Sequence, residues 1–306
     1  MVTIIHFINK VWEKDRKEDM KLKTLQELTL LDKFLFDEAM EDRETYEALL
    51  RIILGNEALT LLTESQTEKE FRTAPWLRSI RVDVYTMDES TIYSTEMQKE
   101  WRKDLIKRTR YYQALIDSSL LEPGEINFNS IKNTTIIMIM PFDLFGLDKY
   151  VYTFEATCVE EPSLKLTDGA RRIFINTHGK NGEDFSPEFV ALMNFIEYNQ
   201  SREDESSNPN LSKIISRVSQ VKASEEVGVK YMQKWEEEAI IRAEGKAEGF
   251  EEGIEKGIQK GIEKGKENTI LNNITQLMNN LKLTSDQAME ALGIPKSDYK
   301  KYADKL

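Results

Sequence analysis

Three side chains between Arg81 and Gln98 have the types and spacing to do chemistry: Asp83, Glu96 and Gln98. The stretch reads Arg-Val-Asp-Val-Tyr-Thr-Met-Asp-Glu-Ser-Thr-Ile-Tyr-Ser-Thr-Glu-Met-Gln. Ile80, Val82, Val84 and the run from Ile92 to Thr95 favour strands, and Met87-Asp88-Glu89-Ser90 breaks them, which predicts a β-hairpin. A turn centred between Glu89 and Ser90 sets Asp83 opposite Glu96 on one face, with side-chain origins about 5 Å apart. Period-two alternation adds Gln98 to that face and turns Met97 away. Carboxylates that close repel by about 3 kcal/mol at an effective dielectric of about 20. A hard divalent cation would offset this, since Mg²⁺ commonly takes one or two carboxylates and leaves its other positions to water and phosphate. By spacing alone, the three residues could equally be polar groups on the wet face of a sheet.

The surrounding elements must position them. Leu28, Leu31, Leu35 and Ala39 repeat at three and four, as do Tyr46, Leu49, Leu50 and Ile53, so Leu25 to Gly55 is predicted helical with Gly55 as its stop. A helix is predicted over Lys99 to Leu121, with Trp101, Leu105, Arg108, Tyr112, Leu115 and Ile116 on the stripe that meets the sheet. Thr134 to Met140 is short and apolar throughout, the mark of a central strand covered on both faces. Tyr150 to Ala156 and Arg171 to Ile175 add strands. Ser186-Pro187-Glu188 opens a helix to Tyr198. Helices before, between and after a mixed sheet predict an α/β core, with the loops Phe142 to Tyr150 and His178 to Phe185 beside any groove.

Asp on one strand and Glu-x-Gln on the next are preceded by Leu28-Thr29-Leu30-Leu31-Asp32-Lys33-Phe34-Leu35-Phe36 and followed by Arg108-Thr109-Arg110-Tyr111-Tyr112-Gln113. Further on come Tyr152-Thr153-Phe154, Cys158-Val159-Glu160-Glu161-Pro162, Leu166-Thr167-Asp168-Gly169-Ala170 and Ile173-Phe174-Ile175-Asn176-Thr177. From Leu25 to Asn199 this series resembles the Rpn family of recombination-promoting nucleases and transposases, in the PD-(D/E)XK nuclease superfamily. The resemblance implies a restriction-endonuclease-like core with a mixed central sheet flanked by helices. It also implies a metal-dependent DNA endonuclease with Asp83 and Glu96 as ligands of Mg²⁺, or of Mn²⁺ or Ca²⁺, acting on double-stranded DNA. Val82 stands where the motif name has Pro, and Gln98 where it has Lys. A Gln amide can orient water or phosphate by hydrogen bonding but brings no charge. Glu-x-Gln occurs within the resembled family. The alternative is a catalytically degenerate nuclease fold serving as a DNA-binding or assembly platform.

Nucleases of this superfamily often add a helix carboxylate, for which Glu47 is the candidate; a solvated Glu on an amphipathic face is the plainer reading. The pair Arg108 and Tyr112, one helical turn apart, resembles a polar motif that reaches a phosphate or braces the site. The chain is acidic, with a net charge of -12, so DNA contact must come from a local patch. Lys99 to Tyr112 supplies one, with Lys103, Lys107, Arg108, Arg110 and Tyr112 as the candidate DNA contacts. A solvent face laced by internal ion pairs would look the same.

One cysteine, Cys158, and two histidines, His6 and His178, are too few for a structural zinc site and suit a reducing cytoplasm. The apolar run at Val2 to Ile8 is too short to span a membrane and lacks the marks of a signal peptide. The sequence divides into an N-terminal arm (1–24), the nuclease-like domain (25–199), a polar linker (200–210), a helical segment (211–268) and a small helical module (269–306). In the fourth, glycines recur every fourth residue from Gly245 to Gly265, weakening a helix by about 6 kcal/mol relative to alanine. Ile254, Ile258 and Ile262 ride beside them, as in a close helix pairing, though a flexible charged spacer fits as well. No strand precedes these glycines, so a phosphate loop is not expected. The last module carries a capping box from Thr284 to Gln287 and a helix-turn-helix order. Lys296, Lys300, Lys301 and Lys305 could touch DNA, or the helices could join copies of the chain into a homo-oligomer.

Overall fold

A computed structural model describes residues 23–72, 79–121, 124–200 and 208–306. Most of the N-terminal arm and most of the polar linker lie outside them. Two compact units are present, Met1–Gln233 and Lys234–Leu306.

The first unit is built on a six-stranded mixed sheet. Its strands are β1 (Gln66–Phe71), β2 (Ile80–Met87), β3 (Thr91–Met97), β4 (Asn133–Met140), β5 (Val151–Phe154) and β6 (Ala170–Asn176). Their order is β1-β2-β3-β4-β6-β5. Pairing is antiparallel at β1–β2, β2–β3 and β5–β6 and parallel at β3–β4 and β4–β6. The hairpin register follows from its turn: Val84 faces Thr95 and Met87 faces Ile92. Asp88 fixes that turn, its carboxylate accepting from the Ser90 and Thr91 amides. β1 is the strand that periodicity does not reveal. Gln-Thr-Glu-Lys-Glu-Phe is polar on both faces, as suits an edge strand that must resist pairing with other chains.

Helices α1 (Lys33–Met40), α2 (Arg43–Leu54), α4 (Pro187–Tyr198) and α5 (Pro209–Ala223) bury their apolar stripes in one core with the sheet residues Val84, Met97, Ile137, Ile139 and Ile175. Gly55 ends α2 in the left-handed conformation, at φ +61°. The other face receives α3 (Leu105–Ser118), whose Tyr112, Leu115 and Ile116 pack on Tyr85, Ile92 and Ile136. This helix begins six residues later than predicted. Trp101 therefore lies outside it and is 61% exposed rather than packed on the sheet.

The first unit also runs past the polar linker. α5 contributes Leu211, Ile214, Val218 and Val221 to the main core, and Tyr231 packs its ring on Phe34 at 5.0 Å. Hydrophobic burial thus ties the segment after 210 to the helices before residue 55.

The long helix α6 (Glu225–Leu281) is continuous through the glycine repeat. In the second unit its end packs with α7 (Ser285–Ala291) and α8 (Tyr299–Ala303) around Ile274, Ala288, Met289 and Tyr302. Thr284 and Gln287 form the reciprocal cap that opens α7.

Candidate active site

The three parallel strands end at one edge of the sheet, and β3 brings Glu96 there as its penultimate residue. Asp83 and Glu96 are buried, at 4% and 2% exposure. The Asp83 amide donates to Glu96 Oε1 at 3.0 Å, and the Met97 amide donates to Asp83 Oδ2 at 2.9 Å. These bonds lock both carboxylates across the hairpin. Met97 turns to the opposite core, as alternation requires.

Gln98 follows directly, its amide donating to the Ile139 carbonyl at 2.9 Å. Its side-chain oxygen accepts from Arg108 Nη1 at 3.0 Å, while its Nε2 donates to the Glu100 carbonyl at 2.5 Å. Arg108 spans the site. Its Nη2 lies 3.5 Å from Glu96 Oε2, and its Nε donates to the Tyr112 hydroxyl at 2.7 Å. Tyr112 is buried, so it holds Arg108 rather than presenting itself to solvent. Of the predicted DNA contacts, Lys103, Lys107 and Arg110 are exposed, whereas Arg108 turns in toward Glu96.

Sequence reasoning missed the other wall. Lys33, the first residue of α1, pairs its ammonium with Asp83 Oδ1, with Asp37 Oδ2 at 3.1 Å and with Glu68 Oε1 of β1 at 2.8 Å. The i,i+4 pair of Lys33 with Asp37 reads as an ordinary surface ion pair. The available signal was that Asp37 interrupts Phe34-Leu35-Phe36 and Ala39-Met40, all of them buried. Asp37 is itself buried, and its Oδ1 has no hydrogen-bond partner. Glu47, the helix carboxylate suggested by sequence, is engaged elsewhere: Arg51 pairs with its Oε1 at 2.7 Å and the Leu61 amide donates to its Oε2 at 2.8 Å.

The electrostatics follow from this packing. Burial, reinforced by the charge on Asp83, pushes the Glu96 carboxyl well above its ordinary value, against the Asp83 amide and Arg108. Burial pushes Asp37 up to about 8, with Lys33 opposing. Burial also works against the charge on Lys33, but Asp83 and Asp37 overcome it and hold the ammonium above its usual range.

Asp37 carries a prediction. Between about pH 4 and 8 its unfolded carboxyl ionises while the folded one keeps its proton, so stability present below pH 4 is lost as pH rises toward 8. The unfolding free energy of wild type minus that of Asp37→Asn should fall by roughly 1–3 kcal/mol across this range in metal-free buffer. Urea melts at half-unit steps measure it; a flat difference would show that Asp37 ionises normally.

All of the donors are carboxylate or amide oxygens, the chemistry of a hard divalent ion. Among the described residues no three His, Cys, Asp or Glu side chains are gathered as a ligand cluster. The strand carboxylates Asp83 and Glu96 and the unpartnered oxygen of Asp37 are oxygens of the kind that an ion keeping several waters takes.

A mixed sheet flanked by helices, with Asp on one hairpin strand and Glu-x-Gln at the parallel-strand edge, defines a PD-(D/E)XK nuclease fold. Residues 33–241 match the family described as PD-(D/E)XK nuclease family transposase, and the chain belongs to that family. No curated protein sequence matches it.

Proposed function

We propose that this protein is a metal-dependent endonuclease that hydrolyses phosphodiester bonds in double-stranded DNA, working in the cytoplasm in recombination or mobile-element movement. The observation that carries the reading is the buried pair Asp83 and Glu96, locked across the hairpin at the edge where the parallel strands end. Membership of a nuclease family whose description names transposases supports it. No described helix is long and apolar enough to cross a membrane.

Asp83 and Glu96 would hold Mg²⁺, or Mn²⁺ or Ca²⁺, with Asp37 near enough to Asp83 to feel its charge. When bound, such an ion lowers the pKa of water and neutralises phosphoryl oxygens. Gln98, held by Arg108, orients the attacking water or the phosphate by hydrogen bonding. Lys33 brings to Asp83 the positive charge that a motif lysine would have brought from position 98. Arg108, fixed by Tyr112, sets Gln98 and offsets the Glu96 charge.

The exposed cations Lys103, Lys107 and Arg110 bind phosphates along the duplex. Replacing all three by Ala should weaken DNA binding uniformly across sequences and make the log–log salt slope shallower by about 2–3. Fluorescence anisotropy from 50 to 200 mM salt measures this; an unchanged slope would place the DNA elsewhere.

The nuclease reading is tested by incubating supercoiled plasmid with the purified protein in Mg²⁺, Mn²⁺ or EDTA. Nicked or linear product in the metal lanes alone supports it. DNA binding that survives chelation, without cutting under any condition, would favour the platform instead, and the absence of lysine at position 98 is the feature that would explain it.

A further inference from the structure

Trp101 is 61% exposed, yet the chain on either side of it is fixed. The Gln98 amide donates to the Ile139 carbonyl at 2.9 Å, and the Gln98 side chain reaches forward to the Glu100 carbonyl, part of the peptide that joins Glu100 to Trp101. Lys99 pairs with Asp32 Oδ1 at 2.6 Å, Arg102 pairs with Asp104 Oδ1 at 3.3 Å, and Leu105 is buried at the start of α3. The turn is anchored on both sides while the ring it carries stays in water. Water is a costly surrounding for so large an apolar ring, and an anchored backbone has little freedom left to lose when a partner covers it.

The position names the partner. β3 and β4 are parallel, so α3, which connects them, starts at the edge where β3 ends, the edge that holds Glu96. Gln98 links the two directly, because the side chain that accepts from Arg108 also holds the Glu100–Trp101 peptide. Three residues of chain keep the Trp101 Cα within about 11 Å of that of Gln98, roughly three steps of a DNA strand at about 3.4 Å each. Within two residues of the ring stand Lys99, Arg102 and Lys103 against one acid, Glu100, and Lys103 is exposed. An aromatic ring set among cations beside a phosphodiester site has the chemistry of a nucleobase platform: the ring takes a base and the cations take phosphates.

Inside an unbroken duplex both faces of each base are covered by its neighbours. A protein ring reaches a base face only after unstacking it, which costs least where the base is unpaired.

We propose that Trp101 is a base-stacking contact at the rim of the candidate active site, so that the chain favours duplex DNA with an unpaired base within about three steps of the bound phosphate. The proposal rests on the reading of this site as one that takes DNA.

The test uses the full chain and two fluorescein-labelled duplexes of one sequence, one fully paired and one with a single bulged 5-iodouracil. Fluorescence anisotropy in EDTA should show wild type binding the bulged duplex at least about tenfold tighter than the paired one, with Trp101→Ala losing that preference and Trp101→Phe keeping most of it. Because Trp101 is exposed, urea melts of both variants should match wild type. Near-ultraviolet irradiation should cross-link the iodouracil to Trp101, located by peptide mass spectrometry. Equal binding of the two duplexes by wild type, an equal loss on both by Trp101→Ala, or a cross-link elsewhere in the chain would overturn the proposal, and would do so even if the duplexes are cut in Mn²⁺. Stacking that depends on Trp101, without cleavage in Mg²⁺ or Mn²⁺, would uphold it and sink the nuclease reading alone. A wild type that neither binds nor cuts either duplex would overturn both.

Discussion

Glu96→Gln should reduce DNA cleavage by at least a thousandfold while leaving the protein as stable as wild type, or more so. The amide keeps the shape of the side chain and an oxygen to accept from the Asp83 amide, so the hairpin lock survives. It removes the charge that burial and Asp83 both disfavour. Folding therefore loses a repulsion of at most about 3 kcal/mol, while catalysis loses one of its two strand carboxylates. The two effects have opposite signs, which separates a functional carboxylate from a structural one. Cleavage rates with urea melts at neutral pH check this. Near-normal cleavage would remove Glu96 from the mechanism, and a loss of more than about 1 kcal/mol in stability would mark it as a folding residue.

The second large effect concerns Lys33. Lys33→Met keeps much of the aliphatic stem and removes the ammonium that touches Asp83, Asp37 and Glu68. Losing one donor aimed at developing charge commonly costs a hundredfold to a thousandfold in rate, and we expect a fall of about a hundredfold here. Stability should fall by only about 1–2 kcal/mol, because the lysine is partly open to solvent and the carboxylates it leaves can take up protons. The informative variant is Lys33→Met combined with Gln98→Lys. If position 98 and the start of α1 are alternative sources of one positive charge, the double variant should regain at least tenfold over Lys33→Met. No recovery, with DNA binding intact, would mean that the Lys33 charge acts only on the fold.

The hairpin was legible because its information is local. Alternation fixed the faces, the turn fixed the register, and together they put Asp83 against Glu96, where the amide-to-carboxylate bond now spans the two strands. The stripe from Leu105 to Ile116 was legible for the same reason, including the Arg108–Tyr112 step. Lys33 and Asp37 were not. Their part in the site depends on where α1 docks, a packing outcome with no period of its own, and an i,i+4 Lys–Asp pair looks the same on any helix. Glu68 was hidden further, on an edge strand whose charges mask its alternation. The place of α5 in the first unit was obscured because composition marks 200–210 as a boundary, while burial of Leu211, Ile214 and Val218 reaches across it. Trp101 shows the converse error: its spacing fits the α3 stripe, but the chain is not yet helical there.

Strand cleavage is proposed to depend on a divalent ion held by Asp83 and Glu96. Calorimetric titration of Mn²⁺ into wild type and Asp83→Ala, run beside plasmid cleavage by the same preparations, tests it most directly. Wild type is expected to bind Mn²⁺ and to nick or linearise the plasmid, and Asp83→Ala to do neither despite an unchanged circular dichroism spectrum. Cleavage at the wild-type rate by Asp83→Ala, or Mn²⁺ binding unaffected by the change, would contradict it.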